Sequence, residues 1–159
     1  MNIEERILNN EGENATHFFE FRGCIYGEVG LMKLQVLGDI YQMVKLDSEA
    51  EIPREILGQE FFTVSKTQDE LSIIVSESVE IESEYKEEGW KIIKFVENMD
   101  LALIGITARI ATVLADNNIN MCALATYDTD YVLVSSVKLE FATQALKKAG
   151  YEFMDEETE

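Results

Sequence analysis

The stretch INMCALATYDTDYVLV, residues 119–134, predicts two short strands joined by a tight turn. Its first part, 119–126, is a run of small apolar residues. Its last part, 131–134, is rich in aromatic and β-branched residues, which favour strands. Asp128-Thr129 lies between them and is a turn signal, because an Asp side chain bonds readily to its own backbone. The stretch therefore predicts a β-hairpin.

Helical patterns flank this hairpin on both sides. Before it, apolar residues recur at spacings of three and four, which gives one apolar helix face. These residues are Ile104, Ala108, Ala111, Leu114 and Ala115. After it, 139–149 is amphipathic, and Gly150 is suited to the position that ends a helix. With strands at 90–96 and 151–153, the order is β-α-β-β-α-β, which predicts an antiparallel four-stranded sheet with both helices on one face.

The first half of the chain shows similar strands but weaker helices. Residues 33–37 alternate apolar and polar side chains at period two, as a half-buried strand does. Strands are also predicted at 41–46, 61–64 and 71–75, the last two forming a hairpin across a polar turn at 66–69. Residues 52–57 predict one or two helical turns, with Pro53 in the first turn and Gly58 at the end.

The chain is therefore expected to divide into two small halves. Residues 32–84 form the first half and 85–154 the second, with the acidic stretch 76–88 as the connector at their boundary. Residues 155–159 are an acidic tail, and 1–31 are an N-terminal segment without an assigned role, one account of which is a natural start at Met32. A unit of this size has a thin core and a free sheet edge, so we expect the halves to pack side by side and two chains to associate.

Composition narrows the class of protein. The chain has 159 residues, 47% of them hydrophobic and 28% charged, with one proline, as in a globular protein. A formal net charge of −18 repels phosphate backbones and anionic lipid surfaces, so neither nucleic acid nor membrane is an expected partner. No segment approaches the roughly 18 apolar residues of a membrane span. The start has no signal-peptide pattern and the two cysteines make no disulfide framework, so the expected location is cytoplasmic.

Three segments of the second half resemble the ACT domain: GWKII (89–93), LIGI (103–106) and ATYDTDYVLV (125–134). More narrowly, the chain resembles tandem-ACT proteins related to aspartokinase regulatory domains, a wider group that includes the CASTOR-type amino-acid sensors. Three strands of the first half also resemble strands of that group. These are MKLQVL (32–37), FFTV (61–64) and ELSIIV (70–75). The resemblance implies an α+β fold of two ferredoxin-like βαββαβ ACT domains packed side by side.

The resemblance also implies a ligand site where the loop before the first helix meets the hairpin. Its residues would be Asp100, Leu103, Ile104, Gly105, Ile106, Thr107, Thr126, Tyr127, Asp128 and Asp130. A helix N-terminus offers unpaired N–H groups to a carboxylate. The carboxylates of Asp128 and Asp130 could hold an ammonium group.

Several of these predicted site residues also have a purely structural interpretation. Gly105 also fits a role in helix packing, and Asp128 also fits a plain turn residue. Leucine and isoleucine are more often core than pocket wall, which applies to Leu103 and Ile104. An acid beside an apolar strand, such as Asp130, needs a partner.

Catalytic and metal-binding patterns are missing from the sequence. His17 is the only histidine, so no Ser-His-Asp arrangement can be assembled without it, and the His and Cys residues are too few and scattered for a zinc site. Asp128-Thr129-Asp130 begins like a calcium loop, but Leu133 occupies the glycine position. We therefore expect a non-catalytic sensor of an amino acid or similar metabolite, without cofactor or metal. The alternative is an ACT-like protein–protein interaction module without a ligand.

Overall fold

The computed structural model describes residues 32–96 and 105–154, and predictions that fall on residues 1–31, 97–104 or 155–159 lie outside this part. The strands are β1 (Lys33–Val36), β2 (Tyr41–Leu46), β3 (Phe62–Lys66), β4 (Leu71–Ser76), β5 (Tyr85–Phe95), β6 (Met121–Ala125), β7 (Asp130–Ser135) and β8 (Glu152–Phe153). The helices of the described part are α1 (Ile106–Asp116) and α2 (Leu139–Lys148), with short 3-10 helices at Arg54–Gly58 and Ser136–Lys138.

The long strand β5 joins the two halves of the chain into one sheet. Its first residues pair with β2, which continues through β4 to β3. Its later residues pair with β7, which continues to β6. Trp90 is opposite Tyr41 on one side and Ser135 on the other, so β5 serves both halves. The mixed eight-stranded sheet with two α-helices confirms the predicted α+β, ferredoxin-like fold class.

Strand β1 crosses from the first half of the sequence into the second half of the sheet. It runs antiparallel to β5, with Leu34 opposite Phe95, and parallel to β8, with Leu34 opposite Phe153. The chain then continues along the same edge of β5 into β2, and the Leu37 amide donates to the Ile92 carbonyl at 2.9 Å. The first strand of the described part thus separates β5 from β8, which would otherwise be neighbours in a ferredoxin-like unit.

Both helices cover one face of the second half, as predicted. Ile93 and Phe95 of β5 and Val132 and Val134 of β7 point to that face, because alternate residues of a strand share a side. They pack against apolar residues of both helices. These are Ile106, Ile110 and Leu114 of α1 and Ala142 and Leu146 of α2. The predicted apolar face of α1 was wrong at Ala108 and Ala115, because both are exposed and the larger isoleucine side chains are buried instead. The helix α2 ends as expected, with Gly150 at a φ of 97° just beyond it.

The first half has no α-helix in the described part and covers its sheet with shorter pieces. The 3-10 helix contributes the fully buried Ile56, and the segment after β4 contributes Val79 and Ile81. These side chains pack on the strand residues Val44, Ile73 and Val75. The predicted helical turns at 52–57 are therefore a 3-10 helix at Arg54–Gly58.

Several strand boundaries differ from the sequence prediction by one or two residues, and β5 begins five residues earlier than predicted. The predicted connector 76–88 is wrong at its end, because Tyr85 to Glu88 belong to β5. Their acidic composition suggested a solvated segment, but backbone pairing with β2 makes them a strand while the side chains stay largely in solvent. Phe61 precedes β3 and does not lie in it, which frees its ring to pack elsewhere.

None of the helices in the described part of the chain is long and apolar enough to cross a membrane.

Candidate functional site

The N-terminus of α1 is the centre of the predicted site. Gly105 occupies the position before the helix with a φ of 82°, in the left-handed region that favours glycine. No side chain of the described residues caps this end. The first N–H groups of a helix lack intrahelical acceptors and lie at its positive end, so they attract an anionic group.

Asp130 lies beside this helix end. Two residues further along β7, Val132 packs in the core beneath the helices, so the Asp130 side chain is directed to the same face. The Thr107 hydroxyl donates to Asp130 Oδ2 at 3.0 Å, which joins the first turn of α1 to the start of β7. Both side chains are partly buried, so the bond is shielded from bulk water more than a surface contact would be.

The turn of the hairpin lies further out. The Thr126 hydroxyl and amide both bond the Thr129 carbonyl, at 3.0 and 2.9 Å, so the Thr126 side chain closes the turn. The Tyr127 side chain is 96% exposed and Asp128 is also exposed. The turn residues therefore contact solvent, with no described bond to the α1 N-terminus.

Of the predicted site residues, the structure brings together Gly105, Thr107 and Asp130. Ile106 is buried in the core of the second half, where it supports the helix and does not line a surface. Asp100, Leu103 and Ile104 lie outside the described residues.

A cleft on the opposite face of the sheet was not predicted from the sequence. It has a volume of about 410 Å³. Gln35, Lys94 and Tyr131 lie side by side on β1, β5 and β7, because Lys94 is opposite both of the others. Lys94 follows the core residue Ile93, so its side chain is on the opposite face, which carries no helix of the described residues and is called the helix-free face below.

Aromatic side chains from both halves form one wall of this cleft. The Phe61 ring lies 5.6 Å from the Tyr41 ring and 5.0 Å from the Tyr131 ring, measured between centroids. Tyr41 is 4% exposed, and burial raises its pKa to about 12, with the nearby carboxylates of Asp39 and Glu60 adding to the rise. Sequence patterns could not find this group, because its members are far apart along the chain.

Within the described residues, no cluster of three or more His, Cys, Asp or Glu side chains could hold a metal ion.

The second half is a βαββαβ unit whose first helix begins at Gly105 beside the hairpin acid Asp130. Residues 85–148 match the family model of the ACT domain, and residues 39–81 match a second model that describes an N-terminal domain. The second half of the chain therefore contains a region, residues 85–148, that matches the ACT domain.

Solved structures share the fold over most of the chain. An Agrobacterium tumefaciens protein is 28% identical with a TM-score of 0.74, covering 82% of this chain and 97% of that one. The aspartate kinase of Clostridium acetobutylicum, described as an allosteric enzyme, is 16% identical with a TM-score of 0.56, covering 77% and 36%. The regulatory subunit of aspartate kinase from Thermus thermophilus is 10% identical with a TM-score of 0.50, covering 72% and 96%. No curated protein sequence matches the chain.

Proposed function

We propose that this protein is a non-catalytic, cytoplasmic sensor that binds an amino acid or similar metabolite where α1 begins beside the hairpin. The single observation that carries the proposal is the Thr107–Asp130 hydrogen bond, which places a carboxylate next to the N-terminus of α1. An α-amino acid carries the complementary pair of charges. Its carboxylate would accept from the first N–H groups of the helix, and its ammonium would pair with Asp130.

The details of the site favour a ligand over a purely structural contact. Thr107 donates to only one of the two carboxylate oxygens of Asp130, so Oδ1 has capacity for a further donor. Apart from its chain neighbours, no described residue lies within 4 Å of a Cβ atom built at Gly105, so the described part of the chain leaves room for a small molecule at the helix end. The positive φ of Gly105 holds the backbone in this open arrangement.

The change Asp130→Asn is expected to weaken amino-acid binding about tenfold or more, since a charged hydrogen bond contributes roughly 1.5–3 kcal/mol. Asparagine keeps the size and can still accept from Thr107, so the melting temperature should change little. Binding is measured by calorimetry with the amino acid that gives the largest thermal shift among the twenty standard ones.

Thr107→Val is the matched control for the structural role of the pair. It removes the Thr107–Asp130 hydrogen bond, which Asp130→Asn retains, and leaves the Asp130 carboxylate able to pair with an ammonium group. It should therefore lower stability by about 1 kcal/mol and retain binding within a few-fold. A variant Asp130→Asn with unchanged affinity and lost stability would contradict the assignment of Asp130 to the ligand.

A second candidate function is an interaction module that contacts a second copy of the chain. Two apolar side chains four residues apart support it, since Val137 is 80% and Phe141 61% exposed. They lie on the 3-10 helix at Ser136–Lys138 and on α2. Large apolar side chains that lie together on a surface often mark a protein contact.

Phe141→Glu is expected to shift the chain from dimer to monomer, because a carboxylate cannot be buried in an apolar contact at low cost. Sedimentation velocity at increasing protein concentration measures the change. Leu57→Glu is the control, because Leu57 is 64% exposed on the 3-10 helix of the first half. A wild-type chain that sediments as a monomer of 18.1 kDa at high concentration would refute self-association.

A further inference from the structure

We propose that the cleft on the helix-free face is a second small-molecule site, which binds a zwitterionic amine of the amino-acid class at the junction of the two halves. The cleft is lined by residues from both halves. These are Gln35, Val36, Leu37, Gly38, Asp39, Tyr41, Glu60, Phe61, Lys94 and Tyr131. The proposal is independent of the site at α1, because the two lie on opposite faces of the sheet.

Charges of both signs line the cleft. Lys94 supplies an ammonium group from the middle of the sheet, where it is half-buried between Gln35 and Tyr131. Asp39 and Glu60 supply carboxylates near Tyr41. A ligand with both a carboxylate and an ammonium group can pair with Lys94 and with the acids at the same time. A simple anion would pair only with Lys94, and a simple cation only with the acids.

The aromatic wall favours the same class of ligand. Phe61 contacts both Tyr41 and Tyr131, so three rings meet beside the charged groups. Aromatic faces attract an ammonium group by cation–π interaction and also pack against apolar substituents. A volume of about 410 Å³ is near the small end of ligand pockets, which suits a metabolite and not a large cofactor.

The rim of the cleft is held in place before any ligand arrives. The Lys91 ammonium donates to the carbonyls of Leu37 and Gly38, the first at 3.2 Å, and so fixes the turn that carries Asp39. A preformed site loses less entropy on binding than a mobile one. Since Phe61 and Tyr41 come from the first half and Lys94 and Tyr131 from β5 and β7, occupancy would couple the two halves.

The test combines a binding screen with variants of each site. The full chain is screened against the twenty standard amino acids at millimolar concentration by thermal shift, and each hit is titrated by calorimetry against Lys94→Gln, Glu60→Gln and Asp130→Asn. For a cleft ligand, Lys94→Gln and Glu60→Gln should each weaken binding about tenfold, since each loses one charged contact. Asp130→Asn should leave the affinity of that ligand unchanged.

Two controls keep the result specific. Lys148→Gln makes the same charge change at the end of α2, outside the residues that line the cleft, and should leave affinity unchanged. For each hit, the analogue without its amino group and the amine without its carboxylate should both bind more weakly. The proposal is overturned if no amino acid shows binding that depends on Lys94 and Glu60 in folded variants. Binding that depends on Asp130 alone would support the α1 site and overturn the cleft.

Discussion

Ile93→Ala is expected to lower the free energy of unfolding by about 2–5 kcal/mol, the usual cost of truncating a buried isoleucine, and to destabilise both halves together. Ile93 is 1% exposed and lies opposite Val36 on one side of β5 and Val132 on the other. Because β5 also pairs with β2, loss of order in this strand removes an edge from the first half as well. Urea unfolding followed by circular dichroism should show one transition at a lower midpoint.

Hydrogen exchange distinguishes unfolding of both halves together from unfolding of two independent halves. Amides of the hairpin β3–β4 should exchange faster in Ile93→Ala by the same factor as amides of α2. Faster exchange confined to the second half would show that β5 does not couple the two. Ile93→Val should cost about 0.5–1.5 kcal/mol, and Val137→Ala at an exposed position should change stability by less than about 0.5 kcal/mol.

Gln42→Ala is expected to lower the free energy of unfolding by about 3 kcal/mol, because it removes contacts within the first half. Gln42 is 1% exposed, and its amide group donates to the carbonyls of Ser76 and Val79. These bonds hold the segment after β4, which covers the first-half core where the second half has a helix. Alanine leaves both carbonyls without this donor and opens a cavity.

Gln42→Met separates the contribution of the hydrogen bonds from the contribution of side-chain packing. Methionine keeps most of the volume but cannot donate, so it should recover the packing part and retain the cost of the lost bonds, about 1–3 kcal/mol. Chemical denaturation measures both variants. Equal stability of Gln42→Met and the wild type would show that the bonds to Ser76 and Val79 contribute nothing to folding.

The local patterns of the second half were sufficient to predict its elements. The stretch up to Leu114 and the amphipathic stretch after Leu139 are both helices, although α1 buries Ile106 and Ile110 and not the predicted alanines, and the hairpin turns at 126–129. These signals are strong because each element has one buried face, and burial imposes the period on the sequence. Asp130, which the resemblance to the ACT domain assigned to the ligand site, lies beside the start of α1 in the structure.

Other features depended on contacts between distant segments. Glu87 and Glu88 have the composition of a solvated connector, and only pairing with β2 makes that region a strand. The insertion of β1 between β5 and β8 likewise leaves no local pattern, because a half-buried strand has the same alternation beside any neighbour.

The sequence by itself determined the class of fold, the order of the elements and the position of the acid at the hairpin, because these follow from periodicity and turn chemistry. Only the tertiary structure decided that Asp130 accepts from Thr107 and that Lys94 and Phe61 share a cleft. The physical reason is that a strand fixes which face a side chain takes, whereas its neighbours across the sheet depend on register and topology. Sites assembled from several strands therefore become visible only after the chain has folded.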